Sequence, residues 1–293
     1  MNFIELTKIS ENLEIVRDDL FPYLYGGNKA RKIKNIEKDI FSRGKNAVVT
    51  TGGIQSNHCR ATALICAKNR WKCKLILHGG KEEFENQKGN AKILQMCGAD
   101  FQFAESTQIG SLMNKAMEDL TSEGYSPYYL YGGGHNKAGV EAYIDAVEKL
   151  YKLLGGKNQP HNIFLASGTG STQAGILLGL DQVGWNSTKV HGISVARKKE
   201  IGIKAIHEAT KFINPDFSKS RILFYDDYLF GGYAKYDEKL EGFIYKIAKD
   251  FGLILDTTYT GKAFYGMQSL MEENKISGKN IFWHTGGIFN LMA

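Results

Sequence analysis

The 293-residue sequence has no run approaching the roughly 20 apolar residues that a membrane-spanning helix requires, which excludes a helical membrane protein. Its first ten residues carry Glu5 and Lys8 and lack the apolar centre of a secretory leader, so a soluble, cytoplasmic protein is expected. Cysteine is scarce. Cys59, Cys66, Cys73 and Cys97 form no Cys-x-x-Cys pair, and the seven-residue steps between the first three cross from a helix into a strand. They are expected to be reduced packing residues, and no metal is expected. No block of basic residues interleaves with aromatics. The net charge of +6 comes from lysines spread along many helical faces, so no nucleic-acid partner is expected. Internal repeats and low-complexity linkers are also missing.

What is present is a chain with 43% hydrophobic and 23% charged residues, enough to bury a large core and to fold as two lobes. Short apolar runs alternate with amphipathic helical stretches. Strands are predicted near 47–51, 72–77, 101–103, 128–131, 163–166, 190–195, 222–225, 253–255 and 281–283. Helices are predicted near 29–41, 57–69, 90–97, 112–121 and 137–154, with further helical stretches beyond. Repeated β-α units of this length imply an α/β protein whose mainly parallel, twisted sheets are covered by helices. The expected division is a large lobe of residues 1–38 and 139–293 and a small lobe of 39–138.

The segment Gly26-Gly27-Asn28-Lys29 opens the first predicted helix. Lys29, Ile33, Ile36 and Ile40 share one helical face, which puts a lysine on the buried side. Asn28 is the expected N-cap, so Lys29 falls in the first turn, where the helix dipole disfavours an ammonium. Arg31, Lys32 and Lys34 add positive charge, and together with burial this drives a lysine toward the neutral, nucleophilic amine used in Schiff-base chemistry. The plainer alternative is a lysine whose stem packs on the stripe while its head reaches solvent.

In parallel sheets, ligands gather at the loops leaving the carboxyl ends of strands. One such loop contains Gly52, Gly53, Gln55, Ser56, Asn57 and His58, whose polar side chains and free N–H groups at a helix start suit a carboxylate. An ordinary glycine turn with a Ser cap reads equally well. A second contains Gly168, Thr169, Gly170, Ser171 and Thr172 before a helix beginning near Ala174, and reads as a phosphate cup. It lacks the Lys of a P-loop and the spacing of a dinucleotide fingerprint, which weakens nucleotide readings. Two further loops deliver Tyr233 and Tyr259, the latter followed by Thr260, as groups that can clamp a substrate or transfer protons. The last predicted strand ends in His284-Thr285-Gly286-Gly287.

Five segments in order, from Gly26-Gly27-Asn28-Lys29-Ala30-Arg31-Lys32 through Gly53-Ile54-Gln55-Ser56-Asn57-His58, Thr169-Gly170-Ser171-Thr172-Gln173-Ala174-Gly175 and Tyr259-Thr260-Gly261-Lys262-Ala263 to His284-Thr285-Gly286-Gly287, resemble signatures of a known enzyme family. It is the 1-aminocyclopropane-1-carboxylate deaminase and D-cysteine desulfhydrase family. The resemblance spans nearly the whole chain. It implies the fold of the tryptophan synthase β subunit, pyridoxal 5'-phosphate in the cleft between the lobes, a homodimer and a small amino-acid substrate. It further implies that Lys29 carries the cofactor as a Schiff base, that Asn57 bonds its 3'-oxygen and that Gly168, Thr169, Gly170, Ser171 and Thr172 hold its phosphate. Thr260 would face the pyridine nitrogen. Gln55, Ser56, Asn57 and His58 would meet the substrate carboxylate, and Ser56, Tyr233 and Tyr259 would serve the chemistry.

The deaminase branch of the family has a glutamate where this chain has Thr260, so D-cysteine desulfhydration is the expected activity, with deamination of 1-aminocyclopropane-1-carboxylate as the alternative. A silent, ligand-binding relative is the alternative from another class, and retention of Lys29 with an intact cup speaks against it. Aromatics at Phe21, Tyr23 and Tyr25, and the turn from Phe230 to Lys235, depart from the family pattern and are expected to reshape the substrate pocket.

Overall fold

The structure is a computed structural model that describes residues 3–86, 88–273 and 276–293. A hairpin of β1 (Leu6–Ser10) and β2 (Leu13–Arg17) precedes α1 (Gly27–Ser42). The next units are β3 (Ala47–Gly53), α2 (Asn57–Asn69), β4 (Lys72–His78), α3 (Lys81–Glu85), α4 (Gly89–Met96), β5 (Asp100–Phe103), α5 (Ile109–Ser122) and β6 (Pro127–Leu130). Beyond them come α6 (Lys137–Leu153), β7 (Asn162–Ser167), α7 (Ser171–Gln182), β8 (Lys189–Ser194), α8 (Lys199–Thr210), β9 (Leu223–Tyr225), α9 (Glu238–Phe251), α10 (Thr260–Glu272) and β10 (Asn280–His284).

The strands form two sheets, ordered β1-β2-β10-β7-β8-β9 and β5-β4-β3-β6, parallel throughout except for the β1-β2 pair. Each central strand is buried on both faces, so alternate residues enter different cores. In β7, Ile163 and Leu165 pack under α6 and α7, while Phe164 and Ala166 pack with Phe264 and Met267 of α10. Val48 of β3 likewise faces Ile33, Ile36 and Ile40 of α1, whereas Ala47 and Val49 face Met113 and Ala116 of α5. That is why these strands read as continuous apolar runs without alternation.

The expected lobe limits at 38 and 139 fall inside α1 and α6, continuous helices that pack against each other. Close approach of α6 and α7 depends on glycine: a Cβ on Gly175 would lie 2.4 Å from the Val140 carbonyl oxygen, and one on Gly179 would lie 2.7 Å from Val147. One strand expectation fails, and one pair of strands was not expected at all. The β1-β2 hairpin was not foreseen because its mixed polar character, Leu-Thr-Lys-Ile-Ser in β1, suits an exposed edge and mimics a loop. Residues 253–255 form no strand. Leu253 and Leu255 enter the core, but the Ile254 carbonyl accepts from the His284 ring at 2.8 Å instead of from a neighbouring strand. Cys59, Cys66 and Cys73 are free and buried, as packing residues should be. Among the described residues no helix is long and apolar enough to cross a membrane.

One buried cluster ties α1 to the large sheet. Asp18 is fully buried and accepts from the Arg31 guanidinium (Nε at 2.9 Å), the Trp283 indole at 2.8 Å and the Tyr143 hydroxyl. Asp18→Leu would leave a buried guanidinium without its counter-charge. It is expected to lower stability by about 3 to 5 kcal/mol, read from denaturant unfolding.

Candidate active site

The carboxyl ends of β3, β7, β8 and β10 and the N-termini of α1, α2 and α7 surround a cavity of about 370 Å³ between the two sheets. That size suits a small organic ligand. Lys29 enters it from the first turn of α1 and donates to the Gly133 carbonyl at 3.3 Å. Burial lowers its pKa to about 8, so the neutral amine is accessible near physiological pH. Neighbouring charge is not the cause, contrary to expectation. Arg31 is paired with Asp18, and Lys34 lies against the rings of Phe21 and Tyr23.

The entry to α1 also differs from expectation. Gly26, not Asn28, is the N-cap, and it caps without a side chain. Leu24, Tyr25, Gly26 and Gly27 all have positive φ, a turn that brings the chain onto the end of β10. Asn28 N–H donates to the Thr285 carbonyl at 2.9 Å, and a Cβ on Gly286 would lie 2.7 Å from Gly27 Cα. Only glycine allows that approach. The Asn28 side chain is thereby free to donate to Thr172 Oγ1 at 3.2 Å, joining the lysine helix to the predicted cup. Of the aromatics before it, Phe21 packs under Arg31, Tyr23 bonds Glu37 and Tyr25 meets Phe289, so they support α1 instead of shaping the pocket.

The cup is formed by Gly168, Thr169, Gly170 and Thr172, all lining the cavity at the start of α7. Gly170, with φ of 92°, is the N-cap and offers no side-chain acceptor. The N–H groups of the first turn therefore remain available to an anion, aided by the helix dipole. Ser171 is not part of the lining. It is fully buried, accepts from Lys32 Nζ at 2.9 Å and donates to the Gly134 carbonyl at 3.2 Å, so it braces the cup from behind.

From the sequence Lys32 was read as a positive neighbour of Lys29, not as part of the cup. It is buried, its Nζ bonds Ser171 and the Gly133 carbonyl, and its ammonium makes no ion pair among the described residues. Burial and the nearby Lys29 hold its pKa well below the usual lysine value. Arg197, after β8, adds a second cation to the lining, and the Gly132-Gly133 turn after β6 completes the wall. The position of Lys32 three residues after Lys29, and the glycine triplet at a strand's carboxyl end, were the available signals.

Ser56, Asn57 and His58 form the opposite wall at the start of α2. Ser56 is the N-cap, accepting from Cys59 N–H at 3.2 Å. The His58 ring bonds Thr50 Oγ1 at 2.8 Å, and since that hydroxyl donates to the Leu130 carbonyl, His58 is the donor there. Burial and the two lysines keep it neutral. Gln55 does not join them. Its amide accepts from Asn90 N–H at 2.9 Å and donates to the Lys88 carbonyl at 3.2 Å, capping α4 outside the cavity.

Tyr233 and Tyr259 line the cavity with their hydroxyls 2.8 Å apart. Tyr233 leaves 38% of its surface to solvent, but its hydroxyl end is sunk in the site, and burial raises both pKa values. The loop carrying Tyr233 is held by buried Lys262, whose amine donates to the carbonyls of Leu229 at 2.8 Å and Gly232 at 2.5 Å. Thr260 lies elsewhere than predicted. Its hydroxyl donates to Asp256 at 2.7 Å and is fully buried outside the lining, one of four donors that fold the 256–260 loop around that carboxylate. Thr285, after β10, and His78, at the end of β4, line the cavity; neither was named as a site residue from the sequence.

The family model described as "Pyridoxal-phosphate dependent enzyme" matches residues 3–286. The chain belongs to the pyridoxal-phosphate-dependent enzyme family. It is 34% identical to a Pyrococcus abyssi protein named "Putative 1-aminocyclopropane-1-carboxylate deaminase", over 96% of this chain and 86% of that one. It is 30% identical to the D-cysteine desulfhydrase of Yersinia enterocolitica, over 97% of this chain and 89% of that one. A crystal structure titled as an ACC deaminase homologue superposes with a TM-score of 0.87 at 31% identity, covering 96% and 86% of the two chains. The fold is therefore the two-sheet α/β architecture of these enzymes, and the cofactor is pyridoxal phosphate. The donor set fits that group. A helix N-terminus with Thr169 and Thr172 suits a phosphate dianion, the Lys32 amine stands behind it on Ser171, and Lys29 would supply an amine for the aldehyde.

Proposed function

We propose that this pyridoxal-phosphate-dependent lyase eliminates the β substituent of a small amino acid, with D-cysteine giving pyruvate, ammonia and hydrogen sulfide at the expense of one water. Among the described residues lining the cavity none is Asp or Glu, and this observation carries the choice of substrate. The bound cofactor supplies an electron-withdrawing ring that acidifies the substrate Cα–H. Without a carboxylate to keep a proton on the ring nitrogen that withdrawal is moderate, which is enough when the bond to be broken is Cα–H and the leaving group is hydrosulfide. Thr260 is turned into the 256–260 loop, and the threonine that lines the cavity at the end of β10 is Thr285.

In this reading Lys29 holds the cofactor and then, as a free amine, takes the Cα proton. The N–H groups and side chains of Ser56, Asn57 and His58 receive the substrate carboxylate at the positive end of α2. Thr169, Thr172 and the N–H groups of α7 hold the phosphate, and Lys32 adds its charge from behind them through Ser171. Tyr233 and Tyr259, kept protonated by burial, face the reacting carbons and can pass a proton to the departing sulfur. Residues 1–38 and 139–293 would act as the large lobe, 39–138 as the small one, in a cytoplasmic homodimer.

Ring opening of 1-aminocyclopropane-1-carboxylate, giving 2-oxobutyrate and ammonia, is the second reading. It is favoured by the Thr169-to-Gly175 segment, which resembles the deaminase form of the cup. Both readings are tested by incubating the holoenzyme with D-cysteine, L-cysteine and 1-aminocyclopropane-1-carboxylate and quantifying pyruvate, sulfide and 2-oxobutyrate. Stoichiometric pyruvate and sulfide from D-cysteine, with little from the other two, is the expected result. Predominant 2-oxobutyrate would transfer the assignment to the deaminase.

A further inference from the structure

Three side-chain amides and the Gln55 backbone carbonyl meet at the edge of the site, and their donors and acceptors can be counted. Asn90 is fully buried, and its side-chain NH2 donates to the Gln55 carbonyl and to Asn57 Oδ1, both at 3.0 Å. Rotating that amide would set its oxygen against the Gln55 backbone carbonyl, so that carbonyl fixes its orientation, and Asn90 Oδ1 is left buried without a hydrogen bond among the described residues. The arm of Asn57 facing Asn90 must then be oxygen and the other arm nitrogen. That nitrogen donates to Asn290 Oδ1 at 2.6 Å. The same logic holds for Asn290: its other arm lies 3.1 Å from the Gln55 carbonyl and must be the NH2, which leaves oxygen toward Asn57.

Asn57 therefore has its oxygen engaged by one neighbour and one N–H by the other. Its second N–H makes no hydrogen bond among the described residues, and Asn57 lines the cavity. Asn290 comes from the short 3-10 turn Ile288–Met292, which is anchored by Phe289 against Arg60, at 4.7 Å, and Tyr25. A residue far along the chain from α2 thus controls the direction of an amide at its N-terminus.

We propose that Asn290 is a positioning residue that, with Asn90, locks the Asn57 amide with one N–H directed at the ring oxygen of bound pyridoxal phosphate. The inference rests on the reading of Asn57 as the group that meets this oxygen. With Asn290 replaced, Asn57 has only one restraint, so its side chain can turn and its N–H is no longer held toward the cofactor.

The test measures the dissociation constant of pyridoxal phosphate and the pH midpoint of its visible band in wild type, Asn290→Leu, Asn57→Ala and the double variant. Unfolding midpoints of the cofactor-free proteins serve as the control for folding. Asn290→Leu is expected to weaken binding roughly three- to tenfold, the equivalent of one hydrogen bond, and to shift the band's midpoint in the same direction as Asn57→Ala. Because both changes act through one amide, the double variant should be no worse than Asn57→Ala. Asn57→Ala with unchanged affinity and spectrum would remove the underlying reading of the site. Asn57→Ala effective but Asn290→Leu silent, or the two effects additive, would overturn the role of Asn290 while leaving the site intact.

Discussion

Lys29→Ala is expected to fold and to bind pyridoxal phosphate without a covalent link, and to lose at least about a thousandfold in turnover. The side chain is partly buried at a cavity wall and makes one long hydrogen bond to the Gly133 carbonyl, so its removal takes little packing with it. Borohydride reduction followed by mass measurement reports the link directly: wild type retains the cofactor's mass and the variant does not. Covalent labelling of Lys29→Ala, or pyruvate release at the wild-type rate, would refute the assignment.

Proton linkage gives a second readout on the cofactor-free protein. Burial lowers the Lys29 pKa to about 8, below its value in an unfolded chain. Between about pH 8 and 10 the unfolded state therefore binds more protons than the folded one. Stability should rise with pH across that window. Below it both states are protonated, and the cost of burying the charge is fully present. The part of the rise due to Lys29 should vanish in Lys29→Ala, leaving a shallower slope in urea unfolding measured at stepped pH. Cofactor attachment should quicken with a midpoint near pH 8 and level off above it, because only the neutral amine attacks the aldehyde.

Lys32→Met should move stability and cofactor affinity in opposite directions. In the cofactor-free protein the Lys32 amine is buried and, among the described residues, its hydrogen-bond partners are two neutral oxygens, those of Ser171 and the Gly133 carbonyl. Replacing such a group by an apolar side chain of similar length is expected to stabilise the protein by about 1 to 3 kcal/mol. If the ammonium meets the cofactor phosphate, the same change should weaken pyridoxal phosphate binding by roughly 10- to 150-fold, the equivalent of one hydrogen bond to a charged group. Thermal unfolding of the cofactor-free form and equilibrium dialysis of the holoenzyme give the two signs. A variant that binds cofactor as tightly as wild type would place the phosphate away from Lys32. One that is destabilised would make Lys32 a structural residue instead.

Most of the α/β alternation was legible because local patterns report it directly. The stripe of Ile33, Ile36 and Ile40 marked α1, and the apolar runs from Ile163 to Ala166 and from Ile281 to Trp283 marked strands buried on both faces. Strand β1 was invisible because an edge strand exposed on one side carries no strong pattern. Residues 253–255 misled for the opposite reason. They are apolar and extended, but strand identity requires a partner backbone, and His284 takes the Ile254 carbonyl.

By itself the sequence determined the class of fold and the cofactor family, and it pointed to Lys29 as a residue of the site, since these rest on local spacing and on motifs whose order survives in the chain. Tertiary structure alone decided which polar groups face the cavity. Gln55, Ser171 and Thr260 have the right chemistry and the right neighbours in sequence, yet their hydrogen-bonding capacity goes to Asn90, Lys32 and Asp256. Lys32, Thr285 and Arg197 enter the lining or support it from elements far apart in the chain. A side chain's direction is set by whichever partner satisfies it at the least cost in desolvation, and that partner is chosen by packing across the two sheets, which no stretch of sequence records.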